Sequence, residues 1–320
     1  MYSVFTLRTA SKYGQVRENS MRKMKTIALL LLVTAAPAFA KPLRVITTTT
    51  DLASIAQEVG GDLVDAKSLT EGNTDLHFVM AQPNFIRLMN EADVYIEIGL
   101  DLEAGWTPYL LQQARNPNIQ RGRKGYCVAV RGIKLLNVPV GEVNRSLGDM
   151  HVYGNPHYWV DPINGIIMAR NIRDTLMAND PQHSDQYKRN FEAFSAKTRK
   201  LTAELLQLMK PHRGKRIYVY HQEFNYMANR FGLEIAGSIE EKMGVTPGPG
   251  WINTTVETIK KEKIKIVLCS PWTNVGVARR VAEESGARLL IMPVQTGTGE
   301  NTATWLKMIE TNVRLLAANL

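Results

Sequence analysis

The chain contains six histidines, His77, His151, His157, His183, His212 and His221, and these are its best candidates for metal chemistry. A neutral imidazole suits zinc, copper, iron and nickel, whereas hard oxygen donors suit manganese and magnesium. Three of the six occupy informative places. His77 ends the stretch Glu71-Gly72-Asn73-Thr74-Asp75-Leu76-His77. His157 lies within Gly154-Asn155-Pro156-His157-Tyr158-Trp159-Val160-Asp161-Pro162, and His221 directly follows Tyr218-Val219-Tyr220. Each stretch follows a run that reads as a strand, and ligands of α/β proteins collect in loops beyond the carboxyl ends of strands. Brought together, three imidazoles make a good zinc set. Spacing alone does not bring them together. His77 and His157 are 80 residues apart and His157 and His221 are 64 apart, unlike a compact local zinc motif, and an isolated histidine is more often structural or solvated. His183 and His212 read as solvated residues at the two ends of a helix, His212 placed to favour its C-terminal dipole. His151, six residues before His157, is ambiguous, with a plain loop residue the simplest reading.

The elements that must position these side chains fall into two sets. Strand-like runs occur at Leu43–Thr48, Val64–Leu69, Val94–Ile98 and Tyr126–Val130, and again at Ile217–Tyr220, Glu234–Ile239, Lys265–Cys269 and Arg288–Met292. They are short and mostly rich in Val, Ile, Leu or Tyr, as buried parallel strands are. Helical stretches such as Leu52–Val59, Pro83–Glu91, Thr254–Glu262 and Val275–Ser285 lie between them. Repeated strand–helix alternation predicts an α/β fold of two lobes, each with a parallel four-stranded sheet flanked by helices. From Gln182 to Met209 there is no Gly or Pro, and Tyr187, Phe191, Phe194, Leu201, Leu205 and Leu208 recur at helical spacing until Pro211 and Gly214. Asp180-Pro181 starts this helix. It would be roughly 40 Å long, a stiff spine along both lobes rather than a flexible hinge.

Arg22, Lys23 and Lys25 precede an apolar run from Thr26 to Ala36, and Ala38-Phe39-Ala40 follows. This reads as a secretory signal cleaved after Ala40; the apolar run is too short to span a bilayer comfortably. Residues 1–20 look unlike a signal, and Met21 or Met24 are alternative starts. The leader carries six of the 39 basic residues and one of the 30 acidic ones, leaving 33 and 29, a net of +4. With no long Lys/Arg run, nucleic acid is not an expected partner. Two cysteines, Cys127 and Cys269, sit in apolar runs far apart and are expected as separately buried thiols. No cysteine directly follows the apolar leader, which favours a soluble periplasmic protein over a lipid-anchored one.

From about Pro42 to Leu320 the chain resembles the metal-binding solute-binding proteins of ABC importers, in the zinc/manganese group (cluster A-I). Thr74-Asp75-Leu76-His77 with Pro83 beyond it resembles that family's first ligand loop, usually Asp-Pro-His, with Leu76 in place of the proline. Asn155-Pro156-His157-Tyr158-Trp159-Val160-Asp161-Pro162 resembles the second closely, and Tyr220-His221-Gln222-Glu223-Phe224 with Phe231-Gly232-Leu233 resembles the third. The resemblance implies two α/β lobes joined by one long rigid helix, with the metal between them on His77, His157 and His221. The expected organisation is a leader over 1–40, metal-binding lobes over 41–180 and 212–320, and a linker helix over 181–211. A monomer that hands its ion to a permease in the inner membrane is expected, and no enzyme.

The family's fourth ligand is often an acid in the loop after the last strand. Here that loop is Pro293-Val294-Gln295-Thr296-Gly297-Thr298-Gly299-Glu300, without an acid at the early position. Glu300, Glu241 or a water is the expected substitute. Asp161 is either an acceptor for a ligating imidazole or the cap of the next helix, while Tyr158 and Trp159 are expected to pack the lobes. Three histidines resemble zinc-type members, since manganese-type members often carry a carboxylate at the third place; Mn(2+) and Fe(2+) are the alternatives. The His-rich loop common in zinc-type members is absent between residues 78 and 156. Three protein ligands also suit a catalytic zinc, but no His-Glu-x-x-His motif supplies a base beside His77. A siderophore- or haem-binding importer component would share the two-lobe plan and need a larger cleft, and an adhesin role would fit a surface-anchored relative.

Overall fold

A computed structural model describes residues 41–139 and 151–320. The expected signal segment and its cleavage after Ala40 lie outside the described residues. In the first half the chain runs β1 (Leu43–Thr47), α1 (Thr50–Gly60), β2 (Val64–Ser68), α2 (Pro83–Asn90), β3 (Val94–Glu97), α3 (Thr107–Ala114), β4 (Tyr126–Val128) and α4 (Pro162–Asn179). After α5 (Ser184–Met209) come β5 (Arg216–Val219), α6 (Asn225–Phe231), β6 (Glu234–Ser238), α7 (Pro249–Lys261), β7 (Ile266–Cys269), α8 (Val275–Ser285), β8 (Arg288–Ile291) and α9 (Trp305–Asn319). The two sheets have the orders β2-β1-β3-β4 and β6-β5-β7-β8, all pairings parallel. Among the described residues no helix is long and apolar enough to cross a membrane.

Local chemistry sets the helix starts. Thr49 caps α1 by accepting the Leu52 N–H, Thr304 caps α9 by accepting the Lys307 N–H, and Pro162 occupies the first turn of α4 behind the Asp161 cap. A short 3-10 turn at Pro181–His183 leads into α5, whose 26 residues span about 39 Å. Its buried stripe is Tyr187, Phe191, Phe194, Thr198, Thr202, Leu205 and Met209. Leu208, expected on that face, is 38% exposed. A 3.6-residue period rotates the stripe onto Met209 by the last turn, so Leu208 lies at its edge.

One hydrophobic core runs continuously through both halves. It joins Val45, Val94 and Ile96 of the first sheet to Phe194 and Leu205 of α5 and to Ile217, Leu268 and Ile309 of the second half. Two tryptophans fasten the halves where they meet. The Trp159 indole N–H donates to the Val294 carbonyl at 2.6 Å, and that of Trp305 to the Trp159 carbonyl at 2.9 Å. Trp305 packs closely against α4 at Gly165, where an added Cβ would come 1.9 Å from its ring. Cys127 and Cys269 are separately buried free thiols, as the sequence predicts.

Candidate metal centre

The three histidines singled out in the sequence converge. One ring nitrogen of each of His77, His157 and His221 lies within 4.8 Å of the other two. The ring centroids are 5.4 Å (His77–His157), 5.5 Å (His77–His221) and 5.0 Å (His157–His221) apart. His157 and His221 are buried at 3% and 2% exposure.

Each ring is oriented by an acceptor on its Nδ1. Asp75 Oδ1 takes both the backbone N–H of His77, at 3.0 Å, and its Nδ1, at 2.8 Å. Asn155 Oδ1 repeats the arrangement two residues before His157, at 2.9 and 3.0 Å. Asx side chains reach back to the backbone two residues on in this way, and here the same oxygen also fixes the imidazole. The partner of His221 is Glu240, whose Oε2 lies 2.7 Å from Nδ1 and also accepts the Gly244 N–H. A carboxylate only accepts, so the Nδ1 atoms of His77 and His221 carry the proton; Asn155 Oδ1, already accepting a backbone N–H, assigns His157 the same tautomer. All three Nε2 atoms therefore present lone pairs. That of His221 is buried without any hydrogen-bond partner, the orphaned group a cation would satisfy. This donor set fits a zinc-type ion with its outer shell already built. Burial, reinforced by the neighbouring His221 and His77, holds His157 well below the usual histidine range, and burial pushes His151 down to about 3. These two rings therefore stay neutral below the ordinary histidine range.

The Glu240 contact depends on an irregularity. β5 and β6 begin with Arg216 opposite Glu234, but a register shift between Ile217 and Tyr218 leaves Val219 opposite Ser238. The shifted register continues through the Ile239 N–H to Val219 and Glu240 N–H to Tyr220 hydrogen bonds, which sets Glu240 beside His221. Without the extra residue Ile239 would stand there. Bulges re-aim side chains next to functional sites in this manner.

Asp161 is no acceptor for an imidazole. It caps α4 through the Ile163 N–H at 2.8 Å and makes a two-pronged ion pair with Arg230 across the halves, both arms 2.8 Å. Trp159 packs between the halves, its ring 5.3 Å from that of His157, and the Tyr158 hydroxyl donates to the Ile98 carbonyl at 2.6 Å. Glu241 and Glu300 are exposed, and among the described residues neither makes a hydrogen bond or ion pair. Gln295, near the expected fourth-ligand position, braces the His77 loop: it accepts the Thr74 N–H at 3.0 Å and donates to the Thr74 carbonyl at 2.8 Å. Sequence reasoning passed over Asp75, Asn155, Glu240 and Trp272, whose ring lies 5.4 Å from His221. An acidic or amide residue two before a candidate histidine was the available signal for the first two. It also left open His151, whose Nε2 lies 3.1 Å from His77 Nε2.

A family model described as zinc-uptake complex component A, periplasmic (ZnuA), matches residues 45–319. Among curated relatives, the iron-binding protein YfeA of Yersinia pestis is 26% identical over 286 residues, 87% of this chain and 86% of that protein. The manganese ABC transporter substrate-binding lipoprotein PsaA of Streptococcus pneumoniae is 25% identical over 90% of this chain and 92% of its own. The high-affinity zinc uptake system protein ZnuA of Brucella abortus is 35% identical over a shorter stretch, 41% of this chain and 40% of that protein. A crystal structure of ZnuA superposes with a TM-score of 0.73 at 23% identity, covering 87% of this chain and 99% of that one, and so shares the fold.

Proposed function

The chain belongs to the ZnuA family of periplasmic zinc-uptake components, and on that premise we propose that it captures a divalent transition metal on His77, His157 and His221 and delivers it to an ABC permease in the inner membrane. Zinc is the cargo this donor set favours, because three neutral imidazoles are better matched to it than to manganese, with iron(II) next. The iron- and manganese-binding names among the relatives keep those ions as the alternatives. The observation that carries the reading is the convergence of three imidazoles whose other nitrogens are all engaged by Asp75, Asn155 and Glu240.

The work of this chain is capture rather than turnover. Asp75 and Glu240, the carboxylates beside the imidazoles, each hold an Nδ1 and are not placed to take a proton from a metal-bound water. Lobes over 41–180 and 212–320 contribute ligands to one ion, so binding favours the closed arrangement. The spine helix and the bonds from Trp159, Gln295 and Arg230 across the halves keep that closure small. Export to the periplasm, with the leader removed, and a monomeric state complete the proposal.

Elemental analysis of protein recovered from the periplasm tests it. About one zinc per chain is expected, as for a single closed site, and almost none after His157→Ala. Stoichiometric zinc in that variant, or none in the unaltered protein under zinc-replete conditions, overturns it.

A further inference from the structure

The fourth place on the ion is open in the reading above, and a fourth imidazole stands next to it. His151 is 8% exposed, its Nε2 is 3.1 Å from that of His77, and its ring centroid is 5.1 Å from His77 and 6.3 Å from His157. Two nitrogens bound to one tetrahedral zinc at 2.0–2.1 Å are about 3.3 Å apart, so the His77–His151 separation matches that of co-ligands, while His151 has still to move in to join the cluster in which His77, His157 and His221 each bring a nitrogen within 4.8 Å of the others.

The loop that meets His151 is built with strain. Gly99, Leu100 and Asp101 have φ of 85°, 56° and 63°, so two adjacent non-glycine residues adopt the left-handed region. Such conformations cost energy and persist where the surroundings enforce them. Buried Glu103 does so, taking the Ile98 N–H at 2.7 Å and the Gly99 N–H at 3.0 Å. Asp101 and Leu102 of this loop line one cavity with His151 and His77. A neutral imidazole has a single N–H. Protonated on Nδ1, His151 would turn the lone pair of its Nε2 toward that of His77 Nε2, 3.1 Å away, and a cation between them would take both. His151 also lines two cavities, one shared with His157 and Glu241 and the other with His77 and Leu102. It therefore lies between the buried rings and the openings through which an ion arrives.

Resting on the three-histidine reading, we infer that His151 is the fourth ligand, closing an all-nitrogen shell in place of the acid that Gln295 and the exposed Glu241 and Glu300 do not supply. A neutral four-imidazole shell is softer than three imidazoles with a carboxylate, so His151 sets the preference for zinc over manganese.

X-ray absorption on the unaltered zinc-loaded protein reads the number of imidazoles directly: four are expected, and three overturn the inference. Chelator competition on purified protein supplies the second arm. His151→Ala is expected to keep one zinc while losing at least about tenfold in affinity, the lower end of what even an outer partner of a ligand contributes. Its cobalt(II) absorption should shift as a nitrogen donor is replaced by water, and its zinc-over-manganese preference should fall. His151→Gln repeats the measurement with less change in volume. Affinity and cobalt spectrum unchanged in both variants overturn the inference while leaving the three-histidine site standing. That site fails instead if His157→Ala retains zinc.

Discussion

The two halves share one sheet topology and use it differently. In each sheet the first strand is central, flanked by the second and third. In the C-terminal half the residue two beyond the first strand is His221, a proposed ligand. The matching residue in the N-terminal half is Thr49, which caps α1. The N-terminal half places its histidines after its second strand and after β4, each held by an Asx residue two positions earlier. The C-terminal half holds its single candidate ligand from just beyond the neighbouring strand, 19 residues away. Equivalent positions in like folds therefore carry no equivalent duty; the site lives in the loops.

The Trp159 and Trp305 bonds hold the halves in fixed relation, and the largest expected effect comes from disturbing that. Gly165→Ala would drive a methyl group to within 1.9 Å of the Trp305 ring, which is 1% exposed and bonded to Trp159. Overpacking of this kind costs about 3 kcal/mol at its upper range. Denaturant unfolding should show that loss, and zinc affinity should fall with it because Trp159 packs on His157. A variant of unchanged stability would mean that the halves adjust freely, and the contrast between their loops would lose its meaning.

The next contrast sets the local brace against the distant one. Glu240→Gln and Asp75→Asn each remove a carboxylate from an Nδ1, and changes at such outer partners typically cost about 10- to 100-fold in metal affinity. Glu240 is 9% exposed, whereas the Asp75 side chain is 30% exposed. The Glu240 variant is expected to lose more, since water can take over part of the work of Asp75. Chelator competition decides the order, and a larger loss at Asp75 reverses it. The same pair marks what was legible in the sequence. The eight strands and the unbroken α5 follow from periodicity, and the three candidate histidines from family-like motifs that lie within a few residues of one another. Asp75 and Asn155 were equally local. Glu240 was not: its place opposite His221 depends on one extra residue in β6, and a one-residue slip in register changes which side chain faces the site. The sequence reading left Glu241, Glu300 or a water open as the fourth ligand and gave Glu240 no role. His151 and the Asp161–Arg230 pair escaped for the same reason, since both depend on contacts between distant segments.

The smallest effect concerns the first-strand loops themselves. Where the C-terminal half presents His221, the N-terminal half turns into α1 and buries Asp51, whose Oδ1 accepts the N–H and hydroxyl of Thr296 at 3.0 and 2.8 Å while Oδ2 has no partner. Burial pushes this carboxyl from 3.8 to about 7 against the lowering effect of the Thr296 bonds. The folded protein thus holds a proton that the unfolded chain has released between those values. Stability from this group is complete below about pH 4 and is lost as pH rises through about 7. Glu103, pushed up to about 8 by burial and by nearby Glu97, adds a slope of the same sign, so the readout is a difference. Asp51→Asn keeps an acceptor for Thr296 and cannot ionise. Between pH 5 and 8 its unfolding free energy should decline less steeply than that of the unaltered protein, by on the order of 1 kcal/mol per pH unit at the steepest point. Parallel curves for the two proteins would show that Asp51 stays ionised, and that the loop facing away from ligand duty is a permanent clasp rather than one that loosens as it loses its proton.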